Sequence, residues 1–99
     1  MHLAAKEATV LRDGKEVKLS VEDLVVGDQI LVKPGEKIAV DGQVVSGQSA
    51  IDESMLTGES IPIQKTEGSQ VYAGSINGQG SLVYRAEKVG RDTLLAQII

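Results

Sequence analysis

The stretch "VVGDQILVKPGEKIAVDGQVVSG", residues 25–47, decides the fold, because short runs of Val and Ile alternate in it with turn-forming residues. Glycine, proline and aspartate favour the backbone angles that reverse a chain. Turns are therefore predicted at Gly27-Asp28, Pro34-Gly35 and Asp41-Gly42. The segments between the turns are predicted to be strands, at 29–33, 38–40 and 42–46.

A hairpin is predicted upstream, in "ATVLRDGKEVKL" at residues 8–19. Two apolar runs flank Asp13-Gly14, a dipeptide that tolerates the positive φ angles of a tight hairpin turn. Ser20 follows the hairpin and is expected to cap a short helical turn, with Asp23 at the return position of a capping box.

Downstream of the decisive stretch, two more strands are predicted at 70–76 and 81–88, with Asn77-Gly78 and Gly80 in the connection. The chain then ends in "GRDTLLAQII", where leucine and isoleucine recur at helical spacing after Asp92 or Thr93 as the helix cap. The opening "HLAAKEA", residues 2–8, is also typical of a piece of helix. These ends suggest a domain cut from a longer protein.

Length and composition limit the chain to one domain, residues 1–99, with an aliphatic core. The chain has 99 residues, no Phe and no Trp, and Tyr72 and Tyr84 are its two aromatic residues. Short strands with frequent turns and eleven glycines are typical of all-β domains. The predicted fold class is mainly β: a small distorted β-barrel or jelly-roll-like domain with short helical segments at the chain ends.

Charge and residue content argue against several classes of function. A net charge of −4 does not fit a nucleic-acid-binding surface, which is normally basic. The absence of Cys rules out disulfides and thiolate metal sites, and the single His2 cannot form a transition-metal site alone. No apolar run approaches the ~20 residues that a membrane-spanning helix needs.

The motif "DESMLTGES", residues 52–60, concentrates acceptor groups without a His or Cys beside them. It lies between the strand predicted to end near Val45 and the one predicted to start near Val71, in a long connection of the kind that is usually functional or disordered. Apolar residues are expected to hold this connection as an ordered loop, namely Ile51, Met55, Leu56, Ile61 and Ile63.

Several polar residues of the motif have a structural alternative. Asp52, Ser54 and Thr57 are residue types that cap turns, and Glu53 fits a solvated surface charge. Glu59 differs because it follows Gly58, which permits a tight turn and a close approach to another surface. At such a tip the Glu59 carboxylate can accept a proton from water, or align that water for attack on an electrophile.

The same motif resembles the signature loop of the actuator domain of P-type cation-transporting ATPases. The runs "VGDQILVKPGEKIAVDGQVVSG", residues 26–47, and "VYAGSINGQGSLVYRAEKVGRDTLLAQII", residues 71–99, are similar to the segments on either side of it. The likeness covers nearly the whole chain and is greatest to the heavy-metal branch, especially the copper-exporting pumps. Ala39 departs from the family pattern, in which proline is commoner.

The resemblance implies a part of a larger enzyme. In such pumps ATP phosphorylates an aspartate on a separate phosphorylation domain, and the actuator domain then brings its loop against the aspartyl phosphate. Glu59 would position the hydrolytic water, with Gly58 permitting the close approach and Thr57 completing the motif. Supporting roles in holding the loop or contacting the partner domain would fall to Ser60, Asp52, Glu53 and Ser54.

The resemblance also implies partners and cofactors. No cofactor or metal is expected in this domain, whereas the full-length protein would use ATP and Mg²⁺ and transport Cu⁺ or another heavy-metal ion. Its partners would be the phosphorylation and nucleotide-binding domains and the membrane helices of the same chain, with an N-terminal metal-binding domain or a metallochaperone as a further candidate. The parent would lie in the cell membrane with this domain on the cytoplasmic side.

Three alternatives stay open from the sequence. The first is a zinc or cadmium pump, because the residues that select the metal lie in membrane helices. The second is a stand-alone β-rich binding module that captures a ligand with its long loop. The third is a small hydrolase that uses Glu53 and Glu59, which would be active as the 99-residue chain itself.

Overall fold

The computed structural model describes residues 5–98, without the side chain of Ile98. Its strands are β1 (Glu7–Arg12), β2 (Lys15–Ser20), β3 (Gln29–Val32), β4 (Asp41–Asp52), β5 (Ile63–Lys65), β6 (Gln70–Val71), β7 (Ile76–Asn77) and β8 (Ser81–Lys88). Two short helices are α1 (Ser54–Thr57) and α2 (Leu94–Ile98), and 3₁₀ turns lie at Val21–Asp23 and Gly90–Asp92.

The strands pair antiparallel in the order β2-β1-β3-β8-β4-β5, and β6 and β7 also pair with β4. The sheet curls into a half-barrel, and its helices are short. The predicted mainly β fold class is therefore confirmed.

The first hairpin forms where it was predicted. Val10 pairs with Val17 across it, and its turn places Asp13 at φ 52° and Gly14 at φ 75°. The helical turn after Ser20 also forms, but Ser20 donates or accepts no side-chain cap hydrogen bond there. The predicted capping box is thus wrong, although the turn itself is right.

Strand β4 is longer than predicted and continues to Asp52 instead of ending near Val45. Its pairing with β8 shifts register between Val44 and Ser46, and Gly47 has a φ of +84°. Such a bulge bends a strand and increases its twist. The bend lets one strand pair with β8 and β6 in its first half and with β5 and β7 in its second half.

The core lies inside the curl of the sheet and is mostly aliphatic. Buried side chains alternate along β3 and β8, as expected for strands with one face inward. The largest fully buried side chains are Tyr84, Ile30, Ile38, Ile51, Leu82, Val10, Val32, Val40, Val44 and Val71. Tyr84 is therefore part of an otherwise aliphatic core.

The predicted strand at 38–40 is wrong, although all three residues are buried. Their N–H groups find partners outside a strand ladder: Ile38 donates to the Ser75 carbonyl at 2.8 Å, and both Ala39 and Val40 donate to the Tyr84 hydroxyl at 3.2 Å. Buried backbone donors need partners, and a tyrosine from another strand supplies two of them here.

The segments near the two ends differ. Helix α2 forms as predicted, and Thr93 is its cap, because the Thr93 hydroxyl accepts a hydrogen bond from Ala96 N at 3.3 Å. At the other end Glu7 and Ala8 lie in β1, and Ala5 and Lys6 lie in no helix, so the helical interpretation of 2–8 is wrong for residues 5–8. Residues 1–4, with His2, lie outside the described range. No helix among residues 5–98 is long and apolar enough to cross a membrane.

Candidate functional site

The "DESMLTGES" motif joins β4 to β5 at the end of the bent sheet. Its first residue, Asp52, is the last residue of β4, and its helical turn is α1. The last residue of α1 and the three residues after it are all exposed, namely Thr57, Gly58, Glu59 and Ser60. The part of the motif that can meet another molecule is thus the Thr-Gly-Glu-Ser run, hereafter the tip.

Asp52 holds the entrance to α1. Its Oδ1 accepts a hydrogen bond from Ser54 N at 2.8 Å, the capping geometry that its residue type favours. That bond, helped by the Ser54 side chain, holds the pKa of Asp52 below its ordinary value. Asp52 is therefore an ionised hydrogen-bond acceptor at the start of α1 at neutral pH.

Thr57 and Gly58 fix the turn that presents Glu59. Gly58 ends α1 with a φ of +80°, and its N–H donates to the Ser54 carbonyl at 2.8 Å. The Thr57 hydroxyl accepts a hydrogen bond from Glu59 N at 3.2 Å. The backbone of Glu59 is thus held while its carboxylate stays exposed.

Gly58 is needed for its backbone angle, not for space inside the domain. A Cβ built at this position would meet no heavy atom within 4 Å, whereas its φ of +80° is one that other residues rarely adopt. The surface over Gly58 is therefore open, and a rigid group from outside the domain can come close to the backbone there.

Glu53 is buried, so its interpretation as a solvated surface charge is wrong. It is 5% exposed, and its Oε2 lies 3.1 Å from the Nζ of Lys65 on β5. Lys65 is itself only 9% exposed, and its Nζ lies 5.8 Å from the centre of the Tyr72 ring. Lys65 was missed from the sequence, where nothing separates it from the surface lysines.

The apolar residues of the loop are buried only on its β4 side. Ile51 is fully buried and Met55 and Leu56 are half-buried, which confirms that part of the prediction. Ile61 is 74% exposed and Ile63 is 43% exposed, so for these two the prediction is wrong. The returning arm of the loop is therefore not held by apolar burial.

No metal-binding group is present among the described residues, in which no three His, Cys, Asp or Glu side chains converge. Glu59 is the carboxylate of the tip, and a carboxylate can accept a proton or orient water.

A known protein family matches nearly the whole chain. The model of the P-type ATPase actuator domain matches residues 2–99. The chain belongs to the P-type ATPase actuator-domain family. This assignment confirms the resemblance on which the interpretation of the tip depends.

Relatives of this actuator domain carry copper-transport names. It is 57% identical over 93 residues to the copper-exporting P-type ATPase B of Archaeoglobus fulgidus, covering 94% of this chain and 14% of that protein. It is 52% identical over 99 residues to the copper-exporting P-type ATPase of Staphylococcus saprophyticus, covering 100% of this chain and 12% of that protein. The actuator domain thus spans about an eighth of the length of these relatives.

A solved structure with the same fold is that of a zinc-transporting PIB-type ATPase in its E2.Pi state. The match has a TM-score of 0.91 and 31% sequence identity, and it covers 97% of the actuator domain and 16% of that chain. The half-barrel described above is therefore a fold that occurs inside a complete pump.

Proposed function

We propose that this actuator domain is part of a copper-exporting P-type ATPase and promotes hydrolysis of an aspartyl phosphate carried on a separate domain of the same protein. The observation that carries the proposal is the exposed Glu59, whose backbone is held by Thr57 and Gly58. The backbone of Glu59 is fixed, but no reacting group lies beside its carboxylate within the described residues. This fits a reacting group that is supplied by another domain.

Each residue of the tip has a role in this proposal. The Glu59 carboxylate accepts a hydrogen bond from the hydrolytic water and orients it toward the phosphorus atom, as a general base does. Gly58 leaves its surface open, so the phosphorylated aspartate can come close. Thr57 holds the Glu59 N–H, and Ser60, exposed beside Glu59, offers a hydroxyl to the partner domain or to the same water.

Three residues before the tip hold its base. Asp52 caps the Ser54 N–H, and the Ser54 carbonyl accepts the hydrogen bond from Gly58 that ends α1. Glu53 is buried beside Lys65 and is not available to a substrate. Its burial counts against the alternative hydrolase that uses Glu53 and Glu59 together.

Charge makes the reaction dependent on the partner domain. Glu59 must approach an aspartyl phosphate of the same sign, and like charges repel strongly where water is excluded. Mg²⁺ and cationic groups next to the phosphate would offset this repulsion. The loop would therefore act only when the phosphorylated domain is assembled around its metal ion.

The whole protein would be a membrane pump. It would use ATP and Mg²⁺, move Cu⁺ out of the cell, and carry this domain on the cytoplasmic side of the cell membrane. The phosphorylation and nucleotide-binding domains and the membrane helices of the same chain would be its partners, and an N-terminal metal-binding domain or a metallochaperone a further one. Rotation of the actuator domain would move the linked membrane helices and so couple dephosphorylation to transport.

Zinc is the second candidate cargo, because the solved relative is named zinc-transporting. Copper is favoured by the names of relatives at 52–57% identity, compared with 31% for the zinc pump. One measurement on the full-length protein distinguishes copper from zinc as the transported ion. For a copper pump, Cu⁺ should stimulate phosphorylation by ATP and Zn²⁺ should not. Stimulation by Zn²⁺ alone would assign the pump to zinc.

The function is tested by replacing Glu59 in the full-length protein. After a pulse of labelled ATP and a chase with unlabelled ATP, the phosphoenzyme of Glu59→Ala should decay roughly 10²–10⁴-fold more slowly than that of the wild type. Phosphoenzyme formation should be unchanged, because the tip does not act in that step.

Glu67→Ala is the matched control for this experiment. Glu67 is also an exposed carboxylate next to a glycine of positive φ, Gly68, but it lies in the turn after β5. The phosphoenzyme of Glu67→Ala should decay at the wild-type rate. Normal decay of Glu59→Ala would refute the proposed role of the loop, and absence of any phosphoenzyme in the wild type would refute the pump itself.

A further inference from the structure

We propose that Lys65 is a positioning residue for the tip, acting through its buried ion pair with Glu53. The inference rests on the proposed function, since it concerns the same loop and the same dephosphorylation step. It adds Lys65, which lies outside the "DESMLTGES" motif. It also assigns a role to Glu53, the carboxylate of the motif that is buried and so cannot reach a substrate.

The pair closes the base of the loop. Glu53 directly precedes α1, and Lys65 is the last residue of β5, so the two residues stand on the outgoing and returning arms. Their charged groups lie 3.1 Å apart and both side chains are about nine-tenths buried. Glu53 Oε2 accepts no aligned hydrogen bond from the described residues, so the ammonium of Lys65 is what balances its charge.

A displacement of Glu53 would reach Glu59 through three hydrogen bonds to the Glu53 carbonyl, two from backbone N–H groups and one from the Thr57 hydroxyl. The Glu53 carbonyl accepts hydrogen bonds from Leu56 N at 2.9 Å and Thr57 N at 3.0 Å, and the Thr57 hydroxyl lies 3.3 Å from the same oxygen. That hydroxyl in turn holds the Glu59 N–H. The position of the reacting carboxylate thus depends on where Glu53 is held.

Little else holds the returning arm. Ile61 and Ile63 are exposed, and β5 pairs with β4 over three residues, 63–65. Lys65 is the buried side chain of that strand. Its Nζ also faces the Tyr72 ring at 5.8 Å, a distance at which a cation is attracted to an aromatic face. Glu53 and Tyr72 together therefore determine the position of the ammonium.

The experiment measures phosphoenzyme formation and decay in the full-length protein for three variants. Lys65→Met keeps the length of the side chain and removes its charge, and Lys65→Arg keeps the charge. The double variant Glu53→Gln/Lys65→Met removes both charges, which leaves no unpaired buried charge to unfold the domain.

The expected result separates positioning from folding. Decay should slow about ten- to a hundredfold in Lys65→Met and in the double variant, because a small misplacement of a reacting group costs about that much. Phosphoenzyme formation should stay at the wild-type rate in Lys65→Met and in the double variant. Lys65→Arg, which keeps the charge, should retain most of the wild-type rate of phosphoenzyme decay. Lys33→Met, which removes an exposed pair with Glu16, is the control and should decay normally.

Two outcomes would overturn the inference. Normal decay in the double variant would mean that the pair does not position the tip. A parallel loss of formation and decay in both Met variants, not restored by Lys65→Arg, would assign Lys65 to folding alone. Glu59→Ala in the same assay distinguishes failure of this inference from failure of the proposed function. Its phosphoenzyme decays slowly only if the loop acts in dephosphorylation.

Discussion

At the scale of single residues, Tyr84 shows how one side chain replaces a missing strand ladder. Its ring is fully buried in the core, and its hydroxyl accepts hydrogen bonds from the N–H groups of Ala39 and Val40. Burial raises the pKa of Tyr84 well above its ordinary value; the two backbone hydrogen bonds oppose this shift, and the nearby charge of Asp41 adds to it. The phenol therefore stays neutral in the folded chain.

Replacing Tyr84 tests this role. Tyr84→Phe should lower the free energy of unfolding of the 99-residue chain at pH 7 by about 1–3 kcal/mol, because two buried N–H groups lose their acceptor. Urea unfolding measures the change. Tyr72→Phe, in a half-buried tyrosine, is the control and should change the stability little.

The raised pKa of Tyr84 predicts that the wild-type chain becomes less stable at alkaline pH. Above about pH 10 the unfolded chain ionises Tyr84 while the folded chain does not, so stability should fall as pH rises, by up to ~1.4 kcal/mol per pH unit. Below pH 10 both states keep the proton, and this contribution is constant. An equally steep alkaline fall in Tyr84→Phe would show that another group causes it.

At the scale of elements, the start of β4 joins the sheet to α2. Asp41 is 5% exposed, and its two oxygens accept hydrogen bonds from Ala73 N at 2.9 Å and Leu94 N at 2.7 Å. One carboxylate thus holds the turn between β6 and β7 and the first N–H of α2.

Asp41→Asn should loosen α2 while leaving the sheet intact. An amide group keeps one acceptor oxygen, so one of the two N–H groups loses its partner, at a cost of about 1–3 kcal/mol. Hydrogen exchange of the amides at 94–98 should become faster, and exchange in β8 should not change. Asp92→Asn, at an exposed neighbouring carboxylate, is the control, and equal exchange in the two variants would contradict the role of Asp41.

At the scale of the whole molecule, the domain presents the Glu59 carboxylate on an exposed loop of a half-barrel. No group of three or more His, Cys, Asp or Glu side chains within residues 5–98 could hold a metal ion. The chain also carries a net charge of −4, which disfavours binding of free phosphate or ATP. The arrangement suits a domain that acts on a group delivered by its neighbours.

The purified 99-residue chain is therefore expected to be inactive. It should show no ATP hydrolysis above that of a Glu59→Ala version of the same chain, measured by release of inorganic phosphate with Mg²⁺ present. Turnover by the wild-type chain that is lost in both Glu53→Gln and Glu59→Ala would instead support the alternative hydrolase, in which the two carboxylates act together.

Features that depend on local chemistry could be predicted from residue types alone. The Asp13-Gly14 hairpin, β8, helix α2 with Asp92 or Thr93 as its cap, and the turn at Gly58 all follow from residue types within a few positions of one another. Turn-forming residues and the alternation of apolar and polar residues predict these elements, because their effects act within one turn or one strand. The mainly β fold was predictable for the same reason, whereas the tip was singled out as a candidate site by its resemblance to a family motif.

Only the tertiary structure decided which distant groups meet. The partners of Ala39 and Val40 lie on β8, and β4 continues past Gly47 because it finds β5 and β7 as new neighbours. The burial of Glu53 against Lys65 likewise depends on a strand that returns after the loop. A charged residue is stable in the interior only when an opposite charge or hydrogen-bond donors are brought to it, and that pairing is set by the folded chain as a whole.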